Sequence, residues 1–280
     1  MSIWAYLEGA GVQLLRMVLL SGLMLFGMAA TAACPERIRV VFTDSSYEPL
    51  IAGRDSHFAE PPGLLVSWTR QALQRMGCLE RAELLRQPQV RTRRLITEKP
   101  ARVDLVVGVF EGSPFSPLVE FPPIDHRPER DLSVGELDIA LYARRDSDPV
   151  WDGRTLRLAP GQTVGALRDT VFGAIAEAHG WPTTDALTTE NALQMLLARR
   201  TSYLLTYAGF ADARMRADGQ LAAQLVKLAP PVDRRRLYAV ASHDFLRAEP
   251  AFVKRFWVEM CLQGNALRDA PFKCLPPPAT

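Results

Sequence analysis

A chain of 280 residues that is 48% hydrophobic and 23% charged holds enough apolar material for one large core or two ordinary ones. That excludes a peptide ligand, a small disulfide scaffold and a disordered tail. Its 33 basic and 31 acidic residues leave a net charge of +2, which argues against a dedicated nucleic-acid surface.

Arg16 precedes an apolar run from Met17 to Met28, which leads into Ala29, Ala30, Thr31, Ala32 and Ala33. A positive charge, a short apolar stretch and small residues predict a secretory signal peptide over residues 1–33, cleaved after Ala32 or Ala33; a membrane-spanning helix needs roughly 20 apolar residues. The competing readings are an uncleaved amphiphilic anchor and a lipid on Cys34, the latter disfavoured by Thr31, where a lipoprotein signal usually has Leu. Export implies the periplasm, an oxidising compartment in which the even set Cys34, Cys78, Cys261 and Cys274 reads as two disulfides. Three pairings are open; locality favours Cys261 with Cys274 and leaves Cys34 with Cys78. His57, His126, His179 and His243 are isolated from one another, so neither a metal site nor a cofactor is expected.

Residues 37–43 predict a strand, followed by the Asp44-Ser45-Ser46 turn and Tyr47. Leu64, Leu65, Trp68, Ala72, Leu73 and Met76 share one face at helical spacing, and the helix closes at Gly77. Residues 90–96 read as a short arginine-rich strand and 103–109 as a buried one, with a proline-rich stretch after Phe110. A strand over 137–144 runs into the polar break at 145–149. Residues 154–159 are a candidate strand, and Val164, Leu167, Val171 and Ile175 form the apolar face of a helix that starts at the 160–163 turn. Thr189 caps the next helix, 203–206 is a buried strand, and 208–222 is helical. Strands over 225–228 and 237–242 precede a last helix with Pro250 in its first turn and Phe252, Val253, Phe256, Trp257 and Met260 as its stripe. Two α/β units with a late strand and helix that rejoin the first predict a two-lobed α/β protein.

The signal peptide, the strand ending before Tyr47-Glu48-Pro49, the Gly63-led helix, Val103 to Gly108, the strand Ile139 to Arg144, the Gly161-Gln162-Thr163-Val164-Gly165 turn and the strand Leu237 to Ala241 carry a resemblance. In order and spacing they resemble the extracytoplasmic solute-binding proteins of the type II periplasmic-binding fold, in particular the branch that binds polar amino acids. The resemblance implies two lobes, each a central mixed sheet flanked by helices, joined by two crossing strands: residues 34–139 with 243–280, and residues 140–242. Ligand would lie between the lobes, and the residues expected near it are Ser45, Tyr47, Phe110, Glu111, Ser113, Thr163, Val164 and Tyr207. Thr163 and Val164 enter as the exposed N–H groups of a helix start, which suit an anion. Tyr47 enters as a ring that covers an apolar part of the ligand.

Two departures bear on the ligand. Polar amino-acid binders usually carry an arginine shortly after the strand corresponding to Val103–Gly108, whereas no arginine follows here before Arg127; where they have an acidic partner for the amino group, this chain has Tyr207. A zwitterion without charged partners is costly to desolvate, so the expected ligand is a small polar or partly aromatic or cationic metabolite, presented by a monomer to an inner-membrane transporter, such as an ABC transporter, or to a sensor. The alternatives are a degenerate relative serving periplasmic protein interaction or signalling, and an exported lyase-like enzyme. Such an enzyme would have only Glu111, Asp104 and His126 near the site as acid or base. The arginine groups 91–94, 199–200 and 234–236 read as solvated helix ends and strand edges, without the aromatic interleaving of a nucleic-acid channel.

Overall fold

The computed structural model describes residues 34–122, 132–168 and 170–275. The predicted signal peptide, His126 and Arg127 lie outside the described residues. The described residues hold twelve strands: β1 (Ile38–Thr43), β2 (Gly53–Arg54), β3 (His57–Phe58), β4 (Ala82–Gln87), β5 (Leu105–Phe110), β6 (Val119–Glu120), β7 (Gly135–Arg144), β8 (Val164–Leu167), β9 (Thr183–Ala186), β10 (Tyr203–Tyr207), β11 (Leu225–Lys227) and β12 (Asp233–Ser242). The α-helices are α1 (Leu64–Arg75), α2 (Gln89–Thr97), α3 (Val171–Ala178), α4 (Thr189–Leu197), α5 (Ala208–Ala217), α6 (Gly219–Gln224), α7 (His243–Ala248) and α8 (Pro250–Gly264).

In the first lobe β1 runs parallel to β4 on one side and to β5 on the other, and β12 closes the far side of β5 antiparallel. This mixed sheet is buried on both faces. Ile38, Val40 and Phe42 meet the layer of α1 and α8, while Val41, Val106 and Val240 meet Ile96, Val103 and Phe115 on the opposite face. The second lobe orders its strands β7-β10-β8-β9, with β7 antiparallel and the others parallel. The lobes share β7 and β12. The first half of β12 pairs with β7, from Asp233 opposite Ile139 to Leu237 opposite Gly135, and the second half pairs with β5. Leu237 is thus where β12 passes from one lobe to the other.

Cys34 bonds to Cys78 and Cys261 to Cys274, so both cross-links lie in the first lobe. Loops of 44 and 13 residues correspond to about 4 and about 3 kcal/mol of lost unfolded-chain entropy.

Several local expectations are corrected. Residues 90–96 are helical: Thr92 and Ile96, one turn apart, are the buried pair of α2, and Arg91 and Arg94 are exposed. The strand of this region is β4, unexpected because its residues Ala82 to Leu85 are only half-buried and its charges break the apolar pattern. Residues 154–159 form no strand; Leu156 only bridges Trp151. The apolar stretch from Val164 to Ile175 is a strand and a helix, since Val164–Leu167 are all buried in β8 and Thr170 then caps α3. The cap of α4 is Thr188, one residue before the expected Thr189, and Asp218 interrupts 208–222 by capping α6. The strand β9, polar and half-exposed, carried no recognisable pattern.

Candidate functional site

Strand ends and helix starts from both lobes converge where the crossing strands meet. A cavity of about 60 Å³ opens there, lined from the first lobe by Thr43, Tyr47, Gln89, Thr92 and the stretch Val106–Phe110, and from the second by Thr170, Val171, Phe172 and Tyr207. Ser113, Phe115, Leu50, Ile51, Leu65 and Leu237 complete the wall. Every one of these side chains is uncharged.

The wall of β5 is shaped by a bulge. Across from it the register of β12 jumps from Tyr238 opposite Val109 to Ala239 opposite Val107, leaving Gly108 as the extra residue. Gly108 has φ +94°, a region that side chains avoid, and an added Cβ would stand 3.2 Å from Leu65 Cδ1. The bulge bends the strand at the cavity.

The loop carrying Tyr47 is held by Arg86 of β4, a buried arginine that donates to backbone carbonyls. Its Nη1 reaches His57 O at 2.6 Å, its Nη2 reaches Asp44 O at 2.6 Å and its Nε reaches Thr43 O at 3.3 Å. Burial lowers its pKa, with Asp44 opposing that shift. Tyr47 is buried, and loss of solvent pushes its phenol well above the ordinary value; the side chain of Thr189, on the other lobe, offsets part of the rise.

From the second lobe, Thr170 Oγ1 accepts from Phe172 N and donates to Leu167 O, which fixes the first turn of α3 beside the cavity. Phe172 meets Phe110 of the first lobe edge to face, ring centroids 6.0 Å apart. Tyr207 ends β10 and folds its ring over Gly209, where a Cβ would stand 2.0 Å from the phenol oxygen. Behind it, Asp212 accepts from Tyr142 Oη at 2.6 Å and from Lys227 Nζ at 2.8 Å, anchoring α5 to β7 and β11. Burial, then the nearby Asp212 carboxylate, raises the Tyr207 pKa.

Of the residues expected from sequence, Tyr47, Phe110, Ser113 and Tyr207 line this cavity together. Ser45 is buried beside it, its N–H bonded to Thr43 Oγ1, but is not part of the wall. Glu111 is also outside the wall; its N–H donates to Arg236 O. Thr163 and Val164 are not part of the wall: Thr163 precedes β8 and pairs its Oγ1 with Thr184 Oγ1 at 2.7 Å, and Val164 begins β8, registered with Tyr203 and Thr183. The helix start that faces the cavity is Thr170–Phe172, seven residues on. Its signal was present, a polar Arg168-Asp169-Thr170 turn between apolar runs. Thr92 was missed because residues 90–96 read as a strand, and Gln89 stands one residue before that segment.

No protein-family model matches the chain, nor does any curated protein. Among solved structures it is similar to a histidine kinase sensor domain with similarity to periplasmic binding proteins, with a TM-score of 0.65 and 21% identity over 86% of this chain and 99% of that one. It is also similar to the GluR0 ligand-binding core from Nostoc punctiforme in complex with L-glutamate, with a TM-score of 0.62 and 12% identity over 84% and 99%. A third is a substrate-binding protein of an ABC uptake transporter from Streptococcus pneumoniae with bound histidine, with a TM-score of 0.59 and 17% identity over 80% and 85%. Identities this low speak for architecture alone, and the architecture is the two-lobed type II periplasmic-binding-protein fold.

Proposed function

We propose that this chain is an exported binding protein that closes its two lobes on a small molecule and presents the closed form to a membrane transporter or sensor, without catalysing a reaction. The observation that carries the reading is the cavity between the lobes, walled by side chains from both and set at the handover of the crossing strands. A ligand held by both walls binds the closed arrangement more tightly than the open one, and that difference is what shifts the population. Tyr47, Phe110, Ser113, Thr170, Phe172 and Tyr207 are the contacts assigned to it.

The test is thermal unfolding of the purified protein against a broad metabolite panel. A ligand at 100 times its dissociation constant adds about 2.7 kcal/mol, which corresponds to about 5–10 °C in Tm at this chain length. Small-angle scattering of the same mixture should report a more compact particle. A panel without any shift would sink the binding reading in favour of a role in protein interaction. Turnover of a panel member, abolished by Glu111→Gln, would establish an enzyme instead.

A further inference from the structure

The chemistry of the cavity wall points to a ligand class, an inference that rests on reading this cavity as the binding site. Among the described residues the wall offers no formal charge, and most of its polar groups are already engaged within the protein. Thr170 Oγ1 both donates and accepts, Thr92 Oγ1 donates to Pro88 O and accepts from Gln87 Nε2, and Ser113 Oγ accepts from Phe115 N. Thr43 Oγ1 accepts from Ser45 N, and the Tyr47 phenol interacts with the Thr189 side chain. The groups left over are the Gln89 amide and the Tyr207 hydroxyl, neither of which makes a hydrogen bond among the described residues. Both are neutral, and each can donate as well as accept. Around them stand Leu50, Ile51, Val107, Phe110 and Phe172.

We infer that the cavity selects an uncharged, mainly apolar small molecule with one hydroxyl- or amide-like end, and that it rejects zwitterionic amino acids. A carboxylate or an ammonium moved from water into such a wall loses its hydration and meets no opposite formal charge, and at the α3 start that faces the cavity the Phe172 N–H is already taken by Thr170 Oγ1, whereas an apolar body gains by burial. One polar end suffices to meet Gln89 or Tyr207. The lining also sets the direction of discrimination: a site whose polar groups are few and neutral is built to reject charge rather than to grade one amino acid from another.

Matched pairs of probes test this. Calorimetric titration of the purified protein would compare 2-phenylethanol with L-phenylalanine and with 2-phenylethylamine, and 3-methylbutanol with L-leucine; histidine, glutamate and arginine complete the charged arm. The expected result is that the uncharged member of each pair binds at least about tenfold more tightly, a gap of about 1.4 kcal/mol. Phe172→Ala should weaken that binding about fivefold or more, while Phe245→Ala, whose ring packs in the first-lobe core against Phe252, should leave it unchanged. Equal or tighter binding of an amino acid or the amine would overturn the ligand class while leaving the binding reading intact. Binding of the alcohols that ignores Phe172→Ala would overturn the site assignment. If no probe of either arm binds and the metabolite panel is also silent, both fail.

Discussion

Phe110 and Phe172 touch across the lobes, so their energetic coupling measures whether the lobes meet in solution. Phe172 is 1% exposed, and its truncation to alanine removes a buried ring at an expected cost of about 3–5 kcal/mol. The lower end applies, because the hole it leaves joins an existing cavity into which neighbours can relax. Phe110 is only half-buried, so its truncation should cost about 1–2 kcal/mol. An edge-to-face pair adds about 0.5–1.5 kcal/mol beyond buried area. The double variant should therefore be less destabilised than the sum of the single variants by about 1 kcal/mol. Urea unfolding followed by tryptophan fluorescence gives the four free energies. Phe245 and Phe252, 5.8 Å apart and nearly perpendicular within the first lobe, serve as an internal reference whose coupling does not depend on the lobes meeting. Coupling at the reference pair together with additivity within about 0.3 kcal/mol at Phe110 and Phe172 would refute the closed contact.

Three further outcomes are expected. Gly209→Ala should drive the Tyr207 ring off its present position, given the 2.0 Å approach; the better helix propensity of alanine, worth about 1 kcal/mol, should keep stability near its starting value. Near-ultraviolet circular dichroism should change and 2-phenylethanol should bind more weakly; an unchanged affinity would remove Tyr207 from the wall. The phenols of Tyr47, Tyr142 and Tyr207 all titrate above their ordinary value, chiefly through burial. A folded pKa above the unfolded one preserves stability below about pH 10 and loses it as pH rises further, by about 1.4 kcal/mol per pH unit for each group. Tm measured from pH 8 to 11.5 should fall steeply past pH 10, less steeply in Tyr142→Phe; equal slopes would contradict the assignment. Arg86→Lys cannot span the carbonyls of Thr43, Asp44 and His57. It should cost about 1.5–3 kcal/mol and speed proteolysis within residues 44–59, and a cleavage rate like that of the parent would show that Arg86 does not hold the loop.

The two-lobed outline was legible because strongly periodic segments define it. The stripe of α8, the amphipathic face of α1 and the apolar runs of β5 and β10 each read correctly from spacing alone. What failed did so where tertiary context outweighs local pattern. The segment 90–96 is rich in β-branched residues, yet Thr92 and Ile96 find a partner surface at helical spacing. From Val164 to Ile175 apolar residues fall at positions compatible with one helix, and only the cap at Thr170 reveals the break. That single misreading put the second-lobe side of the expected site at Thr163 and Val164 and left out Phe172, which lines the cavity. Arg86 was invisible for a different reason: its partners are backbone carbonyls, which leave no trace in residue types.

The route of β12 has a kinetic consequence. The second lobe is one uninterrupted stretch of chain, whose strands β8, β9 and β10 and helices α3 to α6 find their neighbours nearby in sequence. The first lobe cannot complete its sheet until Leu237–Ala241 returns to pair with β5, across everything in between. Long loop closure is slow relative to local contact formation, so the inserted lobe is expected to acquire protected amides first during refolding, with β5 and β12 following together. As the chain emerges in synthesis, the first half waits with β5 as an open sheet edge, and the arrival of β12 covers that edge and joins the two halves in one step.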